Sequence, residues 1–350
     1  MSNKNKKGKA RVVILGGGNG TSRLLLALLP LLQREEIGSL HALVHMADDG
    51  GSTGRLREQY GVAAVGDLTN CLIALSGLRG DVRGDVFLRS FSYRFSHGDL
   101  EGHTLRNIFL TVLEVTSDID TAIATMARVL QVPKRAGVVP TTLTSLVEQV
   151  VITFDGVQSV LGEGQHSISH GVNLQADPRW LPGEVRVKLK GQDVSMNPRA
   201  KELLKQATHI VIAPGHTFGT ILPALALPEI KEEIIKSKAM ICVVMTLLTT
   251  PRQTAGWRGE DFVRVYESYL GRGVEVVVAN NKTVPIRLEE GQDWVEFIES
   301  DHQYRLIKEG LVSSEKQERQ AGDVVPRAIA VHDSEKVRAV FEELLSEGAE

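Results

Sequence analysis

Residues 11–32 read RVVILGGGNGTSRLLLALLPLL. Val12, Val13, Ile14 and Leu15 form an unbroken apolar run in which three side chains are β-branched. That is the pattern of a strand covered on both faces of a parallel sheet. Glycines stop the run at once. From Thr21 to Leu32 the leucines return at helical spacing, and Thr21 or Ser22 is the predicted helix cap. Strand, glycine turn and helix in this order form the opening unit of a doubly wound α/β fold.

The same rhythm extends outward. Leu40–Met46 (LHALVHM) is the second predicted strand, and helices are predicted over Asp67–Leu78, Thr104–Thr116 and Asp120–Leu130. The texture then changes. Val150–Asp155 and Val157–Leu161 alternate in polarity about Gly156, and Ser167–Asn173 and Glu184–Leu189 look similar. These read as a small antiparallel excursion at about 150–190. Strands return at His209–Ala213, Ile241–Met245 and Glu275–Ala279, with helices over Lys201–Gln206, Asp261–Leu270 and Asp333–Leu345. The expected fold is Rossmann-like, doubly wound α/β, with a mostly parallel sheet. It is expected to form one domain over 10–345 behind a basic tail, 1–9.

Composition narrows the partners. A net charge of -3 gives no electrostatic reason to expect nucleic acid or an anionic membrane. No run reaches the ~18 apolar residues of a membrane span. The N-terminus has a basic tail and a short apolar stretch that ends in glycines, unlike a secretory signal. Cys71 and Cys242 sit in apolar runs without metal-ligand spacing, which suits buried thiols in a reducing compartment. The expected location is cytoplasmic.

In open α/β sheets, ligands bind beyond the carboxyl ends of the strands. After the first strand come Gly16, Gly17, Gly18, Asn19 and Gly20. Without side chains, their backbone N–H groups can approach an anion at a helix N-terminus. The dinucleotide fingerprint is not met, because its third glycine position falls on Thr21 or Arg23, and the Walker lysine is absent. After the second strand come Asp48, Asp49, Gly50, Gly51 and Ser52, then Thr53, Gly54, Arg55 and Arg57. One carboxylate there can accept from a ribose hydroxyl, the pair can help hold Mg²⁺, or one can serve as a general base. The alternative is a solvated turn.

Asp67 and Asn70 lie three apart on one helix face, with Asp67 as a plain cap the competing reading. His103 sits at a helix start, where the dipole favours the neutral ring, with Asn107 one turn on. Gly215 and Thr217 belong to a further small-residue turn, APGHTFGT. His41 and His45 are read as structural strand residues. Phe87, Phe91, Tyr93 and Phe95 are read as a core or interface patch.

Five stretches occur in order: GGGNGTSRLL, ADDGGSTGRLR, GDLTNCLIAL, GHTLRNIFL and APGHTFGTILP. Together they resemble the gluconeogenesis factor (YvcK-like) family, relatives of the 2-phospho-L-lactate transferase of deazaflavin coenzyme synthesis. The resemblance runs from about Val12 to about Asn280, with an echo at Val331-His332-Asp333. It implies a Rossmann-like cytoplasmic protein, often a homodimer. For the YvcK-like branch it implies a UDP-sugar-responsive regulator of cell shape, cell-wall synthesis and growth on gluconeogenic carbon, acting through protein partners. For the transferase branch it implies transfer of a nucleotide-activated phospho-lactyl group to a deazaflavin hydroxyl with Mg²⁺. The family places its acidic-glycine motif at the ligand site, a role carried here by Asp48, Asp49, Gly50, Gly51 and Ser52; Asn70, His103 and Asn107 follow by their helix-start motifs. Departures from the family pattern are Thr69, Arg106, His216, Trp257 and Val331.

Overall fold

The computed structural model describes residues 9–48, 50–145, 147–152, 158–160, 186–298, 302–314 and 329–347. Seven strands form one parallel sheet: β1 (Ala10–Gly16), β2 (Ile37–Val44), β3 (Ala136–Pro140), β7 (His209–Ile212), β8 (Met240–Val244), β9 (Val276–Asn280) and β10 (Arg305–Glu309). Their spatial order is β10-β9-β8-β7-β1-β2-β3. The chain therefore winds outward from β1 through β2 to β3, returns to the centre at β7, and winds the other way. The order reverses between β1 and β7, which pair in register from Val12 opposite His209 to Leu15 opposite Ile212. Such a reversal opens a crevice beyond the carboxyl ends of the two strands.

The central strands are apolar on both faces because helices cover both. Val12 through Leu15 are buried, as are Ile210, Val211, Ile212, Ile241, Cys242 and Val243. Helix α1 (Gly18–Gln33) packs its leucines into this core, with Leu24, Leu25, Leu28 and Leu31 almost wholly enclosed. Full burial of one such side chain contributes about 2 kcal/mol. Both cysteines are free and buried.

Helices α2 (Gly51–Tyr60), α3 (Val65–Ala74), α4 (Val82–Phe91), α5 (Leu105–Thr116) and α6 (Ile119–Val129) lie between β2 and β3. The sequence reading placed only α3, α5 and α6. Gly51, Gly54 and the polar residues between them hide α2, whose mean hydropathy is low. After β7 come a π-helical turn (Thr217–Ile221) and helices α8 (Leu222–Leu225) and α9 (Pro228–Lys236), with α7 (Pro198–Gln206) before β7. Helix α10 (Gly259–Leu270) precedes β9, and α11 (Ser334–Glu347) packs against α1.

The predicted excursion is a separate three-stranded antiparallel sheet: β4 (Glu148–Ile152) with β5 (Gln158–Val160) on one side and β6 (Arg186–Lys190) on the other. The Asp155-Gly156 turn, Ser167–Asn173 and the basic tail up to residue 8 lie outside the described residues.

Candidate functional site

The site is built on helix starts. Helix α1 opens at Gly18 with Gly17 as N-cap, not at Thr21 or Ser22 as the sequence suggested. Thr21 is buried in the helix, and the Ser22 hydroxyl donates back to the Asn19 carbonyl at 2.9 Å. Neither is free to cap. No side chain caps α1, and no acidic residue lies in its first turn. Helix α2 starts the same way, with Gly50 as an uncapped N-cap, and α3 starts from Ala64 without a side-chain cap. The first N–H groups of a helix have no intrahelical acceptor, and the dipole adds positive potential there. Gly16 and Gly17 are buried, Gly18 and Gly20 half-buried and Asn19 exposed; Gly50 and Gly51 are half-buried.

Two close approaches shape the crevice. A methyl on Gly20 would overlap the carbonyl oxygen of Pro214, so the turn after β1 touches the turn after β7 through bare backbone. A methyl on Gly17 would collide with Oδ2 of Asp67 and lie 3.2 Å from Cδ2 of His45. Oδ1 of Asp67 would be 3.5 Å from a methyl on Gly18. The carboxylate of Asp67 therefore lies against the glycine turn. Asp67 is the third residue of α3, so it is not that helix's N-cap. Its side chain is 14% exposed, and its Oδ2 is 3.5 Å from Nε2 of His45, which is fully buried. Sequence reasoning split Asp67 between cap and site and left His45 as a strand residue. Strand β2 ends at Val44, so His45 is the first residue past it. That position beyond a strand's carboxyl end was the signal available.

The acidic turn is braced from outside. Oδ1 of Asp48 accepts from the Gly50 N–H at 3.2 Å. Arg57 donates to the Asp48 carbonyl at 2.9 Å and to the Val147 carbonyl at 2.6 Å. Arg55 donates to the carbonyl of Glu101. Asp49 lies outside the described residues.

A buried network joins α2, α3 and α5. Oγ of Ser52 is 2.8 Å from Nδ1 of His103, and Nδ2 of Asn107 donates to Ser52 Oγ at 3.5 Å. Thr69 donates to Oδ1 of Asn107 at 2.7 Å. All four side chains are buried. His103 stands just before Thr104, the N-cap of α5, whose hydroxyl accepts from the Asn107 N–H. Its pKa is lowered first by burial, then by the nearby charges of Arg55 and Arg94. Burial and these charges favour the neutral ring, alongside the α5 dipole. Asn70 accepts from Arg106, whose other terminal nitrogen reaches Ser92 Oγ at 3.5 Å. Thus Ser52, His103 and Asn107 come together, held by hydrogen bonds to one another and to Thr69, while Asn70 is held separately by Arg106.

The third predicted turn has another character. Thr217 is buried, with its hydroxyl 3.4 Å from that of Tyr266. Burial pushes the Tyr266 phenol up to about 12. Gly215 is half-buried beside Ile221. Trp257 is buried edge-to-face between Phe218 and Phe262. His332 is buried too, and its Nε2–H donates to the Met245 carbonyl at 3.1 Å. Burial brings its pKa down to about 4.

Among the described residues, no group of three or more His, Cys, Asp or Glu side chains gathers as a metal cage. No helix among them is long and apolar enough to cross a membrane.

Residues 12–318 match the family described as 2-phospho-L-lactate transferase CofD. A gluconeogenesis factor from Listeria innocua is 36% identical, with 81% of each chain covered. The gluconeogenesis factor of Bacillus subtilis is 30% identical over 97% of this chain and 99% of its own. A crystal structure of a Bacillus halodurans protein superposes with a TM-score of 0.77 at 27% identity, covering 95% of this chain and 99% of that one.

Proposed function

The chain belongs to the 2-phospho-L-lactate transferase CofD family, and on that premise we propose that it is a nucleotide-sugar-binding regulatory protein of the gluconeogenesis factor type. The observation that carries this reading is the juxtaposition of uncapped helix starts with carboxylates. The N–H groups of α1 and α2 suit diphosphate oxygens. The acidic turn suits ribose or sugar hydroxyls, or a cation bridging to phosphate.

Asp67 sharpens the choice. Two unit negative charges 4 Å apart repel by about 4 kcal/mol at an effective dielectric of about 20. A bare phosphate in the glycine turn would meet that repulsion from Asp67. A divalent cation held by Asp67 would offset it. Mg²⁺ fits the donor set, because it takes one or two carboxylates together with phosphate oxygens and waters rather than a cage of side chains. Asp67 and the acidic turn at Asp48 and Asp49 would hold it, and it would neutralise the phosphate charge. The protein's own residues do the rest. The glycine turn admits the backbone to the phosphate, and Arg57 and the Ser52–His103–Asn107 network fix the acidic turn and the starts of α2 and α5. Control of cell shape, cell-wall synthesis and growth on gluconeogenic carbon would follow from reporting UDP-sugar levels to protein partners in the cytoplasm.

Isothermal titration of UDP-N-acetylglucosamine and nucleoside diphosphates, with and without Mg²⁺, tests the proposal. The Asp49→Asn variant is expected to lose about tenfold in affinity with an unchanged melting temperature. Equal affinity of variant and wild type for every nucleotide rejects the site. The family's transferase chemistry supports a second reading, in which the acidic turn activates an acceptor hydroxyl. Incubation with nucleotide-activated phospho-lactate, deazaflavin and Mg²⁺ separates the two, because product formation rejects a purely regulatory role.

A further inference from the structure

We infer that His45 is a positioning residue that holds the Asp67 carboxylate against the glycine turn, where it would help hold a divalent cation. The role of the carboxylate rests on the reading above; the pairing of the two side chains rests on geometry alone.

His45 is fully buried one residue beyond β2, where the chain turns toward the acidic loop. Its Nδ1 accepts from the Ala47 N–H at 3.3 Å. A nitrogen that accepts carries no proton, so in the neutral ring the hydrogen is on Nε2. That nitrogen stands 3.5 Å from Oδ2 of Asp67 and makes no hydrogen bond among the described residues. A buried ring N–H without an acceptor is costly, and a small shift of the carboxylate toward the ring would give it one. The same Oδ2 is the atom a methyl on Gly17 would strike. The carboxylate thus packs against both the imidazole and the backbone of Gly17.

The backbone holds the ring through the Ala47 N–H, and an Nε2–H that drew the carboxylate in would orient it. Groups that orient ligating side chains in this way are worth about 10–100-fold in metal affinity. A structural histidine would behave differently. It would matter to folding, and its effect on binding would be independent of Asp67.

Two measurements decide the matter. In the first, ¹H–¹⁵N correlation spectra of the histidine rings are recorded on the wild-type protein without ligand. Protonated Nε2 with unprotonated Nδ1 is expected at His45; a proton on Nδ1 overturns the inference, whatever the protein binds. In the second, UDP with Mg²⁺ is titrated into wild type, His45→Gln, His45→Met, Asp67→Asn and the double variant His45→Met/Asp67→Asn. Gln supplies an amide N–H in place of Nε2–H and is expected to stay within about threefold of wild type. Met supplies similar volume without a donor and is expected to lose about tenfold or more. In the Asp67→Asn background, the same Met substitution is expected to add nothing. Independent, additive losses, or a harmless His45→Met in a folded protein, overturn the inference. Should wild type fail to bind UDP with Mg²⁺, the proposed function fails on its own, and the tautomer still judges the His45–Asp67 pairing.

Discussion

Helices α1, α2 and α3, at the carboxyl edge of β1 and β2, start without a side-chain cap. Helices α4, α5, α6 and α7 all start with one. Asp81 accepts from the Gly84 N–H, Thr104 from Asn107, Asp118 from Thr121 and Asn197 from Arg199. Both groups face the same physical problem, because the first N–H groups of any helix lack partners. The second group solves it locally, at a gain of about 1 kcal/mol per cap. The first group forgoes that gain where two glycine turns and a carboxylate meet. Helix α9 also starts uncapped, from Leu227, and His216 caps the turn after β7, so what sets α1, α2 and α3 apart is that their bare starts meet glycine turns and a carboxylate at one edge of the sheet.

Four substitutions in the described residues can break or sharpen this contrast. The largest effect is expected from Gly20→Ala. Its methyl would overlap the Pro214 carbonyl, which is backbone and cannot swing aside, so the turns after β1 and β7 must separate. Urea denaturation should show a loss of about 3 kcal/mol. A variant as stable as wild type would mean that the two turns are not held together.

Next is Gly50→Asp. Gly50 has an extended backbone (φ -77, ψ 144) that any residue adopts, so Asp can cap α2 there. The variant should melt slightly higher while its affinity for Mg²⁺–UDP falls about tenfold, since the added carboxylate competes for the reserved donors. Unchanged affinity would show that the α2 start is not part of the site.

Asp81→Ala is the control from the capped group. It should cost about 1 kcal/mol of stability, read by thermal melting, and leave nucleotide affinity within about twofold.

The smallest effect concerns Glu114 on α5, which accepts from the Ala63 N–H at the entry to α3 and from the Ser145 hydroxyl. Burial raises its pKa above the ordinary carboxylate value, against the lowering pull of those hydrogen bonds and of Arg57. A carboxyl raised on folding contributes its full stability below the unfolded pKa and loses it as pH climbs through the folded pKa. Glu114→Gln keeps the accepting oxygen without the charge. It should match wild type in acid and melt about 2 °C higher at pH 8. A variant less stable than wild type at pH 8 would show that the ionised carboxylate is what the α3 entry needs.

Much of this architecture was legible in the chain. The apolar runs at Val12–Leu15, Ile210–Ile212 and Ile241–Val244 identify buried parallel strands, because covering a strand on both faces leaves no room for alternation. The glycine and acidic-glycine turns stood out for a related reason, since a polar, glycine-rich stretch after such a strand falls at the carboxyl edge of the sheet. Helix α2 was hidden by its glycines and polar residues, and α4 by its exposed, mixed-polarity face. Thr217 shows what local pattern leaves out. As a sequence, Gly215–Thr220 resembles the turn after β1, yet Thr217 is buried against Tyr266, forty-nine residues away.

The division follows the range of the forces. Local sterics and side-chain periodicity act within a few residues, so the order of strands, turns and most helices could be inferred from the amino-acid string, and with it the edge of the sheet where a ligand would sit. Contacts between distant segments are settled only when the elements pack. Packing alone put the Asp67 carboxylate against Gly17 beside His45, and joined Ser52 to His103. It also turned Thr217 inward and Asp67 toward the crevice, because which side a helix presents depends on what it packs against.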